Sequence, residues 1–161
     1  MSRTGRKAKD TVKVLLAIDE EPCSEEAVNE VGSRQWEEGT VVRVLHAVGK
    51  FVPPAQELWH DAGGDLDQAK RVIKDRSTEL TERVGEWLRE QGLTVETAVR
   101  DGEPGPAIVE DAKEWGATLI VVGSRGHTGL RRLIEGSVSR YVVDHAPCPV
   151  EVVHCQGEKG E

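Results

Sequence analysis

The sequence predicts an α/β domain: one doubly wound, open sheet of five mainly parallel strands with helices on both faces. Two observations predict it. Short runs of branched and aliphatic residues, most of them continuously apolar, mark strands buried on both faces. Between them lie segments whose apolar residues recur at helical spacing, so strand and helix alternate down the chain.

The first run is VKVLLAI, Val12 to Ile18, ending at Asp19. Pro22 and Ser24 supply helix-start chemistry, and Ala27, Val28 and Val31 fall on one helical face up to a stop at Gly39. VVRVLHAV, Val41 to Val48, is the second strand. Gly49 to Leu66 carries Pro53, Pro54, Gly63 and Gly64 and reads as a long loop. From Asp67 to Glu90, Ala69, Val72, Ile73, Leu80, Val84, Trp87 and Leu88 trace one apolar helical face.

Gly92 stops that helix, and LTVETAV, Leu93 to Val99, alternates as a third strand. The turn from Asp101 to Pro106 opens a helix with Ala107, Ile108, Ala112 and Trp115 inward, closed by Gly116. TLIVVG, Thr118 to Gly123, is the fourth strand; a helix begins near Gly136; PVEVVH, Pro149 to His154, is the last strand. The expected organisation is a tail over 1–11, one domain over 12–155 and a frayed end over 156–161. In such sheets ligands sit at the carboxyl ends of the strands, where the winding reverses.

The 161 residues suffice for one core without disulfides or metal. With 37% apolar and 31% charged residues the composition is globular. A net charge of −8 disfavours nucleic acid as a partner. No apolar run approaches the roughly 20 residues that span a bilayer. The basic, polar start from Met1 to Asp10 does not read as a secretory signal, so the cytoplasm is the expected location. Cys23, Cys148 and Cys155 fit neither a disulfide framework nor a metal spacing and are expected to be reduced thiols.

The chemistry concentrates in VVGSRGHTGLRRLIEGSVSR, Val121 to Arg140. Gly123 ends a strand, Gly126 follows, and Gly136–Ser137 opens a helix. Glycines at a strand end allow positive φ and close approach of backbone N–H groups to an anion. The helix start adds free amides and a favourable dipole. Arg125, Arg131, Arg132 and Arg140 are candidate counter-charges, the local device by which an acidic domain holds a polyanion. There is no G-x4-G-K-[ST] and no G-x-G-x-x-G after the first strand, which disfavours fast NTP hydrolysis and a dinucleotide cofactor. No Ser-His-Asp order or paired metal cluster nominates a catalytic residue.

The spacing G-x2-G-x9-G-S, filled by Gly123, Gly126, Gly136 and Ser137, resembles the nucleotide-binding motif of the universal stress protein family, ATP-binding branch. The resemblance extends to VKVLLAID with Asp19, VRVLHAV with His46, Gly102-x-Pro104, and APCPVEVV from Ala146 to Val153. It implies a Rossmann-like fold of the adenine nucleotide alpha hydrolase kind, dimerising through residues 149–154. It also implies ATP, ADP or AMP as ligand, with Mg2+ as a companion. Carried over by position, Ala17, Asp19 and Ala47 would lie by the adenosine. Gly123, Ser124, Arg125, Gly126, Gly136, Ser137 and Val138 would hold ribose and phosphates. The chain departs from the family in following Asp19 with Glu20 and Glu21, and in placing Ala47 where Val or Ile is common.

His46 is read as a core histidine with its N–H satisfied, His127 as a loop residue within reach of a γ-phosphate or solvent, and Cys23 as a quiet thiol. Trp36, Trp59, Trp87 and Trp115 are read as packing. The expected function is a nucleotide-binding sensor or switch in a stress response, turning over slowly or not at all. The rivals are a slow Mg-dependent ATPase or phosphoryl- or adenylyl-transferase, and an interaction protein that binds no nucleotide.

Overall fold

A computed structural model describes residues 10–49, 65–124 and 136–155. Five strands, β1 (Lys13–Ile18), β2 (Val41–Val48), β3 (Thr94–Asp101), β4 (Leu119–Ser124) and β5 (Val150–His154), form one sheet in the order β3-β2-β1-β4-β5. Every pairing is parallel. Among the described residues four helices lie in the connections: α1 (Pro22–Ser33), α2 (Leu66–Glu90), α3 (Pro104–Trp115) and α4 (Ser137–His145).

The chain winds outward from β1 through β2 to β3, then returns to β4 and winds the other way. The reversal therefore falls between β1 and β4, where a crevice must open at the strand ends.

Strand alternation divides the core in two. Val14, Leu16 and Ile18 of β1 join Val42, Val44 and Val121 beneath α1 and α2, with Ala27, Val31 and Leu88 from those helices. Leu15 and Ala17 point the other way, with Leu45, Ile120 and Val122, against Ile108, Val109 and Ala112 of α3 and Val142 of α4. The apolar–polar alternation of a half-exposed strand is absent from β1 because both of its faces are covered; Val14, Leu15 and Leu16 are all fully buried.

Pro22 starts α1 and a side-chain cap is lacking, since Glu21 at the N-cap is extended but makes no cap bond. The sequence places the stop of this helix at Gly39, but it ends at Ser33. Arg34 leaves the helix to reach Glu30 and both carboxylate oxygens of Glu151 on β5, at 2.7, 2.9 and 2.5 Å. Trp36 then donates Nε1–H to the Val31 carbonyl, closing the helix end. Gly39, at φ +88°, serves the turn into β2 instead.

Asp65 caps α2 by accepting the Asp67 amide. β3 runs two residues beyond its expected end, to Asp101. Gly102, at φ +124°, then donates its N–H to the Val48 carbonyl, a conformation that disfavours any other residue. This bond ties together the ends of β2 and β3. On the face of α3, Asp111 is 1% exposed and accepts from Arg43 of β2 and Arg100 of β3. Trp115 meets Lys13 and Arg43 through its ring.

Trp36, Trp87 and Trp115 all pack against the two cores, as expected; Trp59 lies outside the described residues. Cys23 is buried, and burial pushes the Cys148 thiol up. Of the expected tails, residues 1–9 and 156–161 lie outside the described residues.

Candidate functional site

The crevice is built on the end of β1. Asp19 follows Ile18 directly, and a closed set of bonds fixes it. Its Oδ1 accepts the Glu21 amide at 2.9 Å and the Ser24 hydroxyl at 2.6 Å, while its own amide donates to Ser24 Oγ at 2.9 Å. Ser24, expected to start the helix, is thus used to hold the carboxylate from the first turn of α1. Among the described residues, Oδ2 of Asp19 takes no hydrogen bond and is free to accept one.

Two clefts meet at this carboxylate. One, of about 810 Å³, runs between α1 and α2 over Ile18, Val28, Leu80 and Trp87. The other, of about 380 Å³, lies over the end of β2 and is lined by His46, Ala47, Val48 and Gly49 on one side and Ile73, Arg76 and Ser77 of α2 on the other. Asp19, Glu20, Glu21 and Arg76 line both.

His46 departs from the expectation of a satisfied core histidine. Its Nδ1 is buried without a hydrogen-bond partner among the described residues, and its ring borders the smaller cleft. Burial pushes its pKa below the ordinary value, and Glu20 and Asp19 offset part of that shift.

On the other side of β1, Gly123 lies in β4 beside the start of α1. Its glycine is required by a close approach, not by its own φ, because a Cβ there would stand 2.6 Å from the Cys23 carbonyl oxygen. The expectation that Gly123 adopts positive φ is therefore corrected: its role in the backbone is to let α1 press onto β4. Ser124 is 2% exposed, and its carbonyl accepts the Cys155 amide at 3.3 Å.

α4 begins at Gly136, which is extended and provides no side-chain cap. Arg140 is the first residue whose amide returns to the Gly136 carbonyl, so the amides of Ser137, Val138 and Ser139 open the helix. A Cβ on Gly136 would meet only Ser139 Oγ, at 3.8 Å, so there is room beside this N-cap among the described residues.

The expected site residues therefore divide. Asp19 and Ala47 share a cleft. Ala17 is 7% exposed within the core beneath α3 and lines neither cleft. Gly123 and Ser124 end β4, and Gly136, Ser137 and Val138 open α4. Arg125, Gly126 and His127 lie outside the described residues. Sequence reasoning nominates neither Ser24 nor Arg76 for the site. The Asp19-x4-Ser24 spacing across a strand-to-helix turn is a readable signal for the first; one arginine among many on an exposed helix gives none for the second.

The model of the universal stress protein family matches residues 11–154. The chain belongs to the universal stress protein family. It is 33% identical over 144 residues to Universal stress protein YxiE of Bacillus subtilis, covering 88% of this chain and 97% of that one. It is 30% identical over 151 residues to Universal stress protein Sll1388 of Synechocystis, covering 88% and 96%.

Among solved structures, hypothetical protein MJ0577 superposes with a TM-score of 0.73 at 24% identity, over 91% of this chain and 97% of that one. The AMP-bound family protein At3g01520 of Arabidopsis thaliana gives 0.62 at 18%, over 93% and 95%. The Archaeoglobus fulgidus protein in complex with dAMP gives 0.60 at 22%, over 89% and 97%. These likenesses establish the Rossmann-like α/β fold. Among the described residues of this chain, no helix is long and apolar enough to cross a membrane.

Proposed function

We propose that this universal stress protein binds an adenine nucleotide, ATP or its relatives ADP and AMP, in the crevice at the ends of β1, β2 and β4. The protein acts as a sensor or regulatory switch of the stress response, with slow or no hydrolysis. The observation that carries the reading is the opening of α4, which has no side-chain cap at Gly136 and room beside it, in a fold whose winding reverses between β1 and β4. The AMP and dAMP bound by the two fold relatives support an adenylate as the ligand class.

In this reading the free Oδ2 of Asp19 accepts from ribose or base, and Ala47 lies by the base. The amides of Ser137 and Val138 meet phosphate, and Gly123, Ser124, Arg125, Gly126 and Gly136 complete the cradle. Ala17 contributes only from within the core. Mg2+ enters as a companion of the triphosphate.

The partner surface of the proposal is β5. It is an edge strand, half-buried at Val150, Glu151, Val152 and Val153, and antiparallel pairing of two copies over 149–154 would cover it. The cytoplasm remains the expected location.

The test is direct. Denature the purified protein, identify released nucleotide by chromatography, and titrate the apo form with ATP with and without Mg2+ by calorimetry. Bound adenylate or saturable titration without multiple turnovers is expected. Repeated Mg-dependent turnover would favour a slow ATPase instead; indifference to every adenylate would leave an interaction protein. Sedimentation velocity, expected to give a dimer, checks β5.

A further inference from the structure

We infer that Arg76 is a specificity-determining residue that holds the base end of the ligand rather than its phosphates; the inference rests on the nucleotide-binding reading above. Three observations carry it. Arg76 is the cationic residue that borders both clefts, facing Asp19, Glu20 and Glu21 across them. Among the described residues no hydrogen bond or ion pair engages Arg76 itself, and its side chain is exposed. Its guanidinium is therefore uncommitted.

The sheet order decides which part of a nucleotide it can reach. α2 lies over β2 and β3, so Arg76 stands on the β2 side of β1, in the cleft with His46 and Ala47. The amides of α4 and the end of β4 stand on the other side of β1. Two strand spacings separate β2 from β4, roughly 10 Å, which is about the distance from a base to its phosphates.

Chemistry selects the same end. A planar guanidinium stacks on an aromatic face and donates in the plane to ring nitrogens and carbonyls. The base-side cleft offers a matched set of an acceptor in Asp19 Oδ2 and a donor in Arg76, with the small side chain of Ala47 on the same lining. A base with an amine donor beside a ring-nitrogen acceptor satisfies both groups. Were Arg76 a phosphate counter-charge, the carboxylates of Glu20 and Glu21 in the same clefts would repel the group it was meant to hold.

The test compares adenosine, AMP and ATP on the full chain carrying Arg76→Ala, Arg76→Lys or no change. Arg76 is exposed and bonds to nothing described, so the variants should melt with the parent, which thermal denaturation checks. Affinity for all three ligands should fall by about tenfold in Arg76→Ala, and by the same factor whatever the phosphate count. Arg76→Lys should not restore it, because an ammonium neither stacks nor donates in a plane. Loss confined to AMP and ATP, growing with phosphate number and rescued by lysine, would overturn the inference in favour of a counter-charge. Unchanged binding in Arg76→Ala would overturn it too, while leaving the nucleotide reading standing. Failure of the unmodified protein to bind any of the three would remove that reading and this inference with it.

Discussion

Gly123 and Cys23 meet backbone to backbone: a Cβ on Gly123 would lie 2.6 Å from the Cys23 carbonyl oxygen and 2.9 Å from its carbonyl carbon. Neither atom is the end of a flexible side chain. Adding a methyl at 123 must therefore push the first turn of α1 away from β4. Gly123→Ala is expected to destabilise the protein by about 1–3 kcal/mol, the usual cost of overpacking. Urea unfolding measures it. Unaltered stability would show that α1 can move aside, and that the glycine serves the ligand alone.

Gly136 presents the opposite case. Its nearest neighbour to an added Cβ is Ser139 Oγ at 3.8 Å, and its φ of −49° and ψ of 136° suit other residues. Gly136→Val should fold, losing about 1 kcal/mol from the poorer N-cap. The branched side chain would fill the space beside the N-cap of α4, where the proposed phosphate site lies. Nucleotide affinity should consequently drop while the urea midpoint falls by only about 0.5 M. Full affinity in the folded variant would sink the cradle at α4.

Much of this architecture is legible because it rests on local rules. Apolar runs locate four of the strands and alternation locates β3, and Gly116, Gly92 and Gly102 sit where positive φ is needed. The end of α1 is not legible, because Arg34 terminates that helix through Glu151, 117 residues away. The site is legible as a set of strand and helix ends: Asp19, Ala47, Gly123 and Gly136 all stand there. What each does is less so. Only tertiary contact shows that Gly123 admits Cys23, that Ser24 holds Asp19, or that α2 brings Arg76 over β2. Ala17 shows the converse limit: position along a motif does not tell whether a side chain ends in the crevice or in the core.

Asp111 joins two strands to α3. Arg43 donates to both of its oxygens at 3.0 and 3.1 Å, and Arg100 Nε donates at 2.7 Å. Removing the carboxylate strands two partly buried guanidinium groups, whose side chains are 22% and 28% exposed. Asp111→Ala should cost about 3 kcal/mol, near the low end for breaking a buried pair because both arginines retain some water and a second glutamate each. Urea, which does not screen charge, is the denaturant to use. A loss below about 1 kcal/mol would mean that Glu96 and Glu114 suffice to hold the arginines.

His46 should give the fold a pH dependence of definite sign. Burial lowers its pKa from 6.5, against the opposing pull of Glu20 and Asp19; Glu21 and Arg76 border the same cleft from α1 and α2. Below pH 6.5 the unfolded chain takes up a proton at this position that the folded chain resists. Stability from this residue is thus complete above that value and declines as pH falls towards the folded pKa, with a slope of at most about 1.4 kcal/mol per pH unit. His46→Gln removes the titration while keeping a polar side chain of similar reach. Urea midpoints of the two proteins, followed from about pH 8 to about pH 5, should converge as the parent loses stability faster. Parallel curves would mean that the imidazole finds a partner for its second proton, and that Nδ1 is not the isolated group its burial indicates.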